Sequence, residues 1–386
     1  MPRSTRLKML VFLALLSLFV SQSTGATAEP FIILNAAQRA QPPPRRPRVA
    51  ASIIAVRAEA ALLGSFVADA AAMPLHWDYD ASNIKRLVGD GDAGFYDPPE
   101  NIWYNGVKGG GTPYGQQAMA YLRVGASTGG FAPADIETAY YAIYGPGCPG
   151  PTGGVYLDAS TKEFVANVAQ GKHYPNSGGD DTQADAVAHM VSVVALFAGN
   201  TSAMLDALEP VIRVTQNADG AVAFGCAGAR FLEKLLTENT TAIDAATDTA
   251  TDLLNPIRVH PLPYDADLAA DIFAALAAAK SGLDAVSYFG RLGHSSQSCD
   301  FPFTLPNVVF LAASVGDGVD DGFLAGARAS ILAGGDSGSR GVFFGAIAGA
   351  RLGDKALLPT SWTTKTSSFA TIAPLITQLV AHRSIA

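Results

Sequence analysis

An all-α fold is what the 386-residue sequence predicts, on three observations. Alanine and glycine dominate its composition, which suits closely packed helices more than sheets. Residues 60–77 form a run of small and apolar side chains in which Gly64, Ala68 and Ala72 stand four apart, the spacing of one helix face. No segment alternates with a period of two, and there is no Gly-x-Gly-x-x-Gly turn, nucleophile elbow or internal repeat. At 49% hydrophobic and 16% charged residues, the chain can bury a large core.

The N-terminus has its own physics. Residues 1–28 read as a secretory signal peptide: Arg3, Arg6 and Lys8 make a positive front, residues 9–20 an apolar core too short for a comfortable membrane span, and Thr24-Gly25-Ala26 or Ala26-Thr27-Ala28 a small-residue exit. A signal anchor is the alternative. Residues 29–51 are basic and Pro-rich, a linker or a transit-like segment behind the signal. The expected route is entry into the secretory pathway, to a secreted or lumenal state or an organelle reached through it, with no stable membrane span after signal removal. Asn200 and Asn239 open glycosylation sequons that matter only on that route.

The globular domain is expected over residues 52–386. Its first helix should end at Pro74, and the row of Gly64, Ala68 and Ala72 should let another helix approach closely. Residues 80–104 read as loop-rich. Thr112-Pro113-Tyr114-Gly115-Gln116-Gln117 leads into a helix over residues 118–124, and Pro133 marks the first turn of the next. A Pro/Gly loop over 145–154 precedes a short helix at 161–169. Asp180 and Asp181 are expected at the N-terminus of a helix that runs to residue 198. Asp219 is the natural cap of an amphipathic helix over 221–236, and 239–251 read as a polar surface loop. A helix from Pro306 and an amphipathic run over 323–332 lead to Gly334-Gly335-Asp336-Ser337-Gly338-Ser339, which opens a small-residue helix over 342–352.

Three stretches carry potential chemistry. Asp336, after two glycines at a helix start, is suited both to capping and to holding a metal or sugar. Asp180, Asp181 and Thr182 place two acids and a hydroxyl together; they either favour the positive helix end or hold a divalent cation through oxygen. Residues 293–307 are a turn-rich loop in which Ser295, Ser296 and Ser298 present hydroxyls; it reads either as an ordinary loop or as one that binds a polar ligand. His76 and His189 read as structural histidines. Cys148, Cys226 and Cys299 are isolated, so neither a disulfide scaffold nor a zinc site is expected. Residues 1–50 hold seven basic residues and one acid, which leaves the body acidic with a net charge of -14 and argues against nucleic acid as a partner.

The ordered motifs resemble the ADP-ribosylglycohydrolase superfamily. The opening helix is similar to the family's Gly-Asp-Ala-x-Gly-x-Pro at Asp69-Ala70 and Pro74, and His76-Trp77 follows as in the J-crystallin branch. Residues 334–339 resemble its last motif, Gly-Gly-Asp-Thr-Asp-Thr, followed by a Pro-x-x-Trp that here reads Pro359-Thr360-Ser361-Trp362. The copy is imperfect. The second Asp of that motif falls on Gly338, and the family's Thr-Asp-Asp-Thr is replaced by Thr112-Pro113-Tyr114-Gly115. Asp180-Asp181-Thr182-Gln183 is similar to an Asp-Asp-Asn-Gln stretch of J-crystallin-like proteins, and Gln216 stands where the family has a histidine.

The resemblance implies one compact multi-helix domain that cleaves the bond between ADP-ribose and an acceptor with two magnesium ions. With three family carboxylates missing, the expectation here is at most one weakly bound Mg2+, on Asp336, Ser339, Asp180, Asp181 and Thr182. The catalytic candidates are Asp180, Asp181 and Asp336; the candidates for substrate binding are Thr112, Tyr114, Gln117, Asn217, His294, Ser295 and Ser296. The expected partner is an ADP-ribose-like small molecule or an ADP-ribosylated protein. The alternative is a catalytically degenerate, J-crystallin-like structural or ligand-binding protein. The helices that start near Gly115, Asp181 and Ser337 should have their N-termini around one cleft.

Overall fold

A computed structural model describes residues 46–384, apart from 102, 105, 149–155 and 316–321, and apart from the side chains of His294 and Ser384. The signal-peptide reading and most of the basic linker fall outside the described residues.

Among the described residues the elements, in order, are α1 (Ala51–Ala72), α2 (Ala81–Val88), α3 (Pro113–Thr128), α4 (Pro133–Tyr144), α5 (Ala159–Ala169), α6 (Ala186–Phe197), α7 (Thr201–Thr215), α8 (Asp219–Thr237), α9 (Ala242–Leu254), α10 (Asp265–Lys280), α11 (Ala285–Phe289), a four-residue strand β1 (Arg291–His294), α12 (Phe301–Ser314), α13 (Gly322–Leu332), α14 (Ser337–Leu352), α15 (Thr360–Thr363) and α16 (Phe369–Ala381). The fold is all-α. Hydrophobic side chains from nearly every long helix share one core, and α6 lies inside it: every residue from Ala186 to Leu196 is buried.

The axis of the domain is the seam between α1 and α14. The expected row of small residues makes it. A Cβ on Gly64 would stand 2.4 Å from the Gly345 carbonyl oxygen, and one on Gly345 would stand 2.3 Å from that of Gly64. One on Gly349 would stand 2.2 Å from the Ala60 carbonyl oxygen. Only glycine lets two helix backbones come this near. By length and hydropathy α1 could cross a membrane, but most of it is buried in this core.

The seam brings the C-terminal end of α1 against the N-terminal end of α14. Pro74 ends α1 as expected, in a 3-10 turn over Met73–Leu75. The chain then crosses the Gly334-Gly335 turn. The Trp77 amide donates to the Gly335 carbonyl at 3.0 Å and the Gly335 amide to that of Asp78 at 2.5 Å. Gly334, Gly335 and Trp77 all have positive φ, 74°, 72° and 66°; for tryptophan this is a strained conformation, held by the two crossed strands of backbone.

Several sequence expectations are corrected. Helix α6 begins at Ala186 with Asp185 before it, so Asp180 and Asp181 precede the helix in extended chain; Gly178 and Gly179 place that chain against the 213–217 backbone instead. Residues 242–254 form helix α9, not a loop, because Ala242, Ala245, Ala246, Thr249 and Leu253 line one buried face. Ala218 rather than Asp219 occupies the N-cap position of α8, and no side chain caps it; Asp219 bonds Arg213 at 2.8 Å. Helix α3 spans Pro113–Thr128, α12 begins five residues before Pro306, and α2 lies within the supposed loop at 80–104. Ordered packing begins before residue 52: Arg46 pairs with Asp244 and Asp248, and the Val49 amide donates to the Thr237 carbonyl.

Candidate functional site

Two polar clusters lie near the first turns of α3, α5, α6 and α14, with Tyr114 between them. The first is built on α1, the turn after it, and α14. Thr112, the N-cap of α3, donates its hydroxyl to Asp69 Oδ1 and its amide to Oδ2 at 3.0 Å. Gly115 is required here, since a Cβ would meet the Asp69 carboxylate at 1.8 Å. Asp69 is fully buried, and burial, partly offset by the Thr112 bonds, pushes its carboxyl up to about 8.

Asp336 is equally buried and stands at the N-cap of α14, but its side chain caps no backbone amide; Oδ2 accepts from the Ser339 hydroxyl, which also pairs with Thr304 at 3.1 Å. Burial raises its carboxyl to about 6, with Ser339 and the Arg340 guanidinium holding it down. His76 faces the other carboxylate oxygen, Nε2 to Oδ1, at 3.6 Å. The Gly338 amide donates to His76 Nδ1 at 3.0 Å. Nδ1 is therefore the lone-pair nitrogen and Nε2 carries the proton of a neutral ring. Burial, then Arg340, keeps His76 well below the ordinary histidine range. Arg340 lies under this group, its guanidinium bonded to Ser330 and the Gly334 carbonyl and set over the Phe289 ring at 4.7 Å.

Around Asp336 the aromatic side chains crowd together. His76 and Trp77 have ring centres 4.3 Å apart, Trp77 and Tyr156 4.6 Å, His76 and Tyr114 5.9 Å, and Trp77 and Tyr104 6.0 Å. Trp77 Nε1, Tyr104 OH and Ser337 Oγ are buried here without a hydrogen-bond partner in the protein, while His76 Nε2 and Asp336 Oδ1 face each other beyond hydrogen-bond distance and Tyr114 acts on the Asp336 carboxylate. Buried polar groups nearly always have partners, so this concentration marks a place built to meet a polar ligand or water.

The second cluster comprises Asp158, Asp181 and Asp185, each offering an oxygen within 4.8 Å of the others. Asp158 caps α5 through the Thr161 amide at 2.6 Å. Ser160 Oγ donates to Asp158 at 3.1 Å and to Asp185 at 2.6 Å, and Gln117 Nε2 donates to the same two acids at 2.6 Å and 3.3 Å. Burial raises the carboxyls of all three. Both clusters act on Tyr114: after burial, the charges of Asp336, Asp185 and Asp158 all push its phenol upward.

The first turn of α3 adjoins both the approach to α6 and the start of α14, but the helix expected at Asp181 begins at Ala186, and the residues expected around one cleft are divided between two clusters. Gln117 of α3 reaches Asp185 before α6, and a Cβ on Gly338 of α14 would meet Thr112 Oγ1 at 2.8 Å. Of the residues singled out from sequence, Thr112, Tyr114, Asp336 and Ser339 fall in the first cluster, and Asp181 and Gln117 in the second. Asp180 is exposed and outside both; its amide donates to Glu163. Thr182 bonds Asp300 at 2.7 Å. Asn217 is tied to Arg213 and the Pro175 carbonyl, and Ser296 is fully buried on backbone groups of its own loop, while Ser295 is exposed. The His294 side chain is outside the described residues. Sequence reading missed Asp158, Asp185 and Arg340. An acid three residues before an amide it caps was the one available signal for Asp158.

A pair of magnesium ions does not fit the family position. Pro113, Tyr114 and Gly338 offer no carboxylate, Asp69 is taken up by Thr112, and Arg340 already supplies positive charge beside Asp336. A carboxylate at 338 has no room either, since the first carbon of any side chain would also meet His76 Cε1 at 2.9 Å.

Comparison with known proteins agrees with the geometry. The ADP-ribosylglycohydrolase family model matches residues 51–385. Crystallin J1A of Tripedalia cystophora is 26% identical over 324 residues, 81% of this chain and 92% of that protein. Crystallin J1B of the same organism is 31% identical over 191 residues, 47% of this chain and 57% of that protein. A solved structure titled as an ADP-ribosylglycohydrolase-related protein complex superposes with a TM-score of 0.56 at 20% identity, over 86% of this chain and 99% of the other. That last likeness is one of fold.

Proposed function

The chain belongs to the ADP-ribosylglycohydrolase family, and on that premise we propose that it hydrolyses the N- or O-glycosidic bond of an ADP-ribosyl group at the cluster around Asp336. The observation that carries the reading is the set of buried polar atoms there that make no hydrogen bond within the protein, several donors beside a carboxylate oxygen whose facing donor, His76 Nε2, stands 3.6 Å away. Asp336, its carboxyl raised to about 6, is largely ionised at neutral pH; Oδ1 takes the proton of an attacking water whose oxygen bonds the ribose C1 as the C1–N or C1–O bond to the acceptor breaks, and the acceptor leaves with that proton. His76 Nε2–H, Trp77 Nε1–H and the Tyr104 and Tyr114 hydroxyls donate to ribose or leaving-group oxygens. Gly338 N–H fixes the histidine tautomer that makes this donation available. No step is assigned to a metal.

A second reading has its own observation. Asp336 and His76 are almost wholly buried, and Arg340 supplies a fixed counter-charge, which suits a catalytically silent, crystallin-like protein.

The test is release of ADP-ribose from peptides modified on arginine or on serine, followed by chromatography. Turnover by the parent, lowered about 100-fold or more in Asp336→Asn, supports hydrolysis. No release from either peptide overturns it and leaves the second reading.

A further inference from the structure

We infer that Asp158, Asp181 and Asp185, joined by the side-chain oxygen of Gln117, bind one hard divalent cation where α5 and α6 begin, at a site separate from Asp336. This goes beyond the proposed hydrolysis and stands whether or not the chain turns over a glycosidic bond.

The geometry is the first argument. The three acids come from two segments, Asp158 before α5 and Asp181 and Asp185 in the stretch that leads into α6, yet each places an oxygen within 4.8 Å of the others. Oxygens on opposite sides of a calcium ion stand about 4.6–5.2 Å apart, and those around magnesium about 4 Å, so one ion can touch all three. The partners these carboxylates have are neutral: Ser160, Thr161, Thr182 and Gln117. Three acids with only neutral donors gain most from a cation.

The second argument is independent of the acids. Gln117 is only 2% exposed, its amide is set between Asp158 and Asp185, and its Oε1 has no partner. A half-turn of the amide exchanges its nitrogen for its oxygen and completes a set of four oxygen ligands. The hydroxyl of Tyr144, a side chain 5% exposed, is likewise without a partner, and Asp158 is the charge that acts on it most. Asp181 is half-buried beside exposed Thr182, which gives the ion a way in.

The experiment is calorimetric titration of chelator-treated protein with calcium, magnesium and manganese chlorides in turn. The parent should take up one ion per chain. Asp181→Asn, at the half-buried position where folding is least at risk, should weaken the affinity at least tenfold, and Asp185→Asn should abolish it. Asp336→Asn should bind as the parent does. The inference is overturned if the parent binds none of the three ions at millimolar concentration, if Asp181→Asn, shown folded by its melting curve, binds like the parent, or if Asp336→Asn loses the ion.

Discussion

Replacing Gly345 by alanine sets two physical effects against each other. In a helix interior, alanine is favoured over glycine by about 1 kcal/mol, so propensity alone makes the variant more stable. The seam opposes this. The added methyl would lie 2.3 Å from the Gly64 carbonyl oxygen, 2.8 Å from the Gly64 carbonyl carbon and 2.8 Å from Ala68 Cβ. Two of these atoms are backbone and cannot rotate away, so α1 and α14 must separate. Overpacking of a close-fitted core costs roughly 1–3 kcal/mol, and a backbone clash belongs at or above the top of that range. The net expectation is a loss of about 2 kcal/mol. With an unfolding entropy of about 2 cal/mol/K per residue, a domain of this size should melt about 3 °C lower. Differential scanning calorimetry of parent and variant measures it. An unchanged or raised Tm would refute the claim that this seam is held at backbone contact.

Other expectations follow from the buried acids and the N-terminus. Because burial raises the Asp69 carboxyl to about 8, the unfolded chain releases that proton near pH 4 while the folded chain keeps it, so this group's contribution to stability is full below pH 4 and is lost as pH rises to 8. Melting curves from pH 5 to 8.5 should therefore fall more steeply for the parent than for Asp69→Asn; parallel curves would remove Asp69 as the source. Trp362 is fully buried and its indole nitrogen donates to Asp92 at 3.2 Å, so Trp362→Ala should cost about 3–5 kcal/mol by denaturant titration. The mass of the native protein should lack at least residues 1–28, and an intact Met1 with the apolar segment retained would count against a cleaved signal.

What could be read from the sequence was whatever depends on neighbours along the chain. The four-residue row of Gly64, Ala68 and Ala72 announced a close helix partner, and two glycines before Asp336 announced a turn into a helix. The periodicity of α9 was also present in Ala242, Ala245, Ala246, Thr249 and Leu253, but threonines and acids on its other face disguised it as a loop. The acid cluster was legible only in part. Asp181 stood out beside Asp180, whereas Asp158 drew no reading and Asp185 fell inside the helix expected from Asp181. Their meeting depends on how α5 and α6 pack, and no local spacing encodes that. Arg340 was invisible for the same reason: its anchors, Ser330 and the Gly334 carbonyl, define a pocket only once α13 and α14 have folded together.

The tight fit at Gly338 also fixes the order in which this site can be altered. A chain acquiring an acid at 338 would meet the Thr112 side chain and the His76 ring before it gained any ligand. The favourable step is thus hidden behind an unfavourable one. Any route to a metal-binding pair beside Asp336 must first trim a neighbour, and the obvious trimming at His76 removes the ring that now receives the Gly338 amide. The present arrangement is guarded by its surroundings rather than by a single residue, and laboratory selection should find paired changes there before it finds single ones.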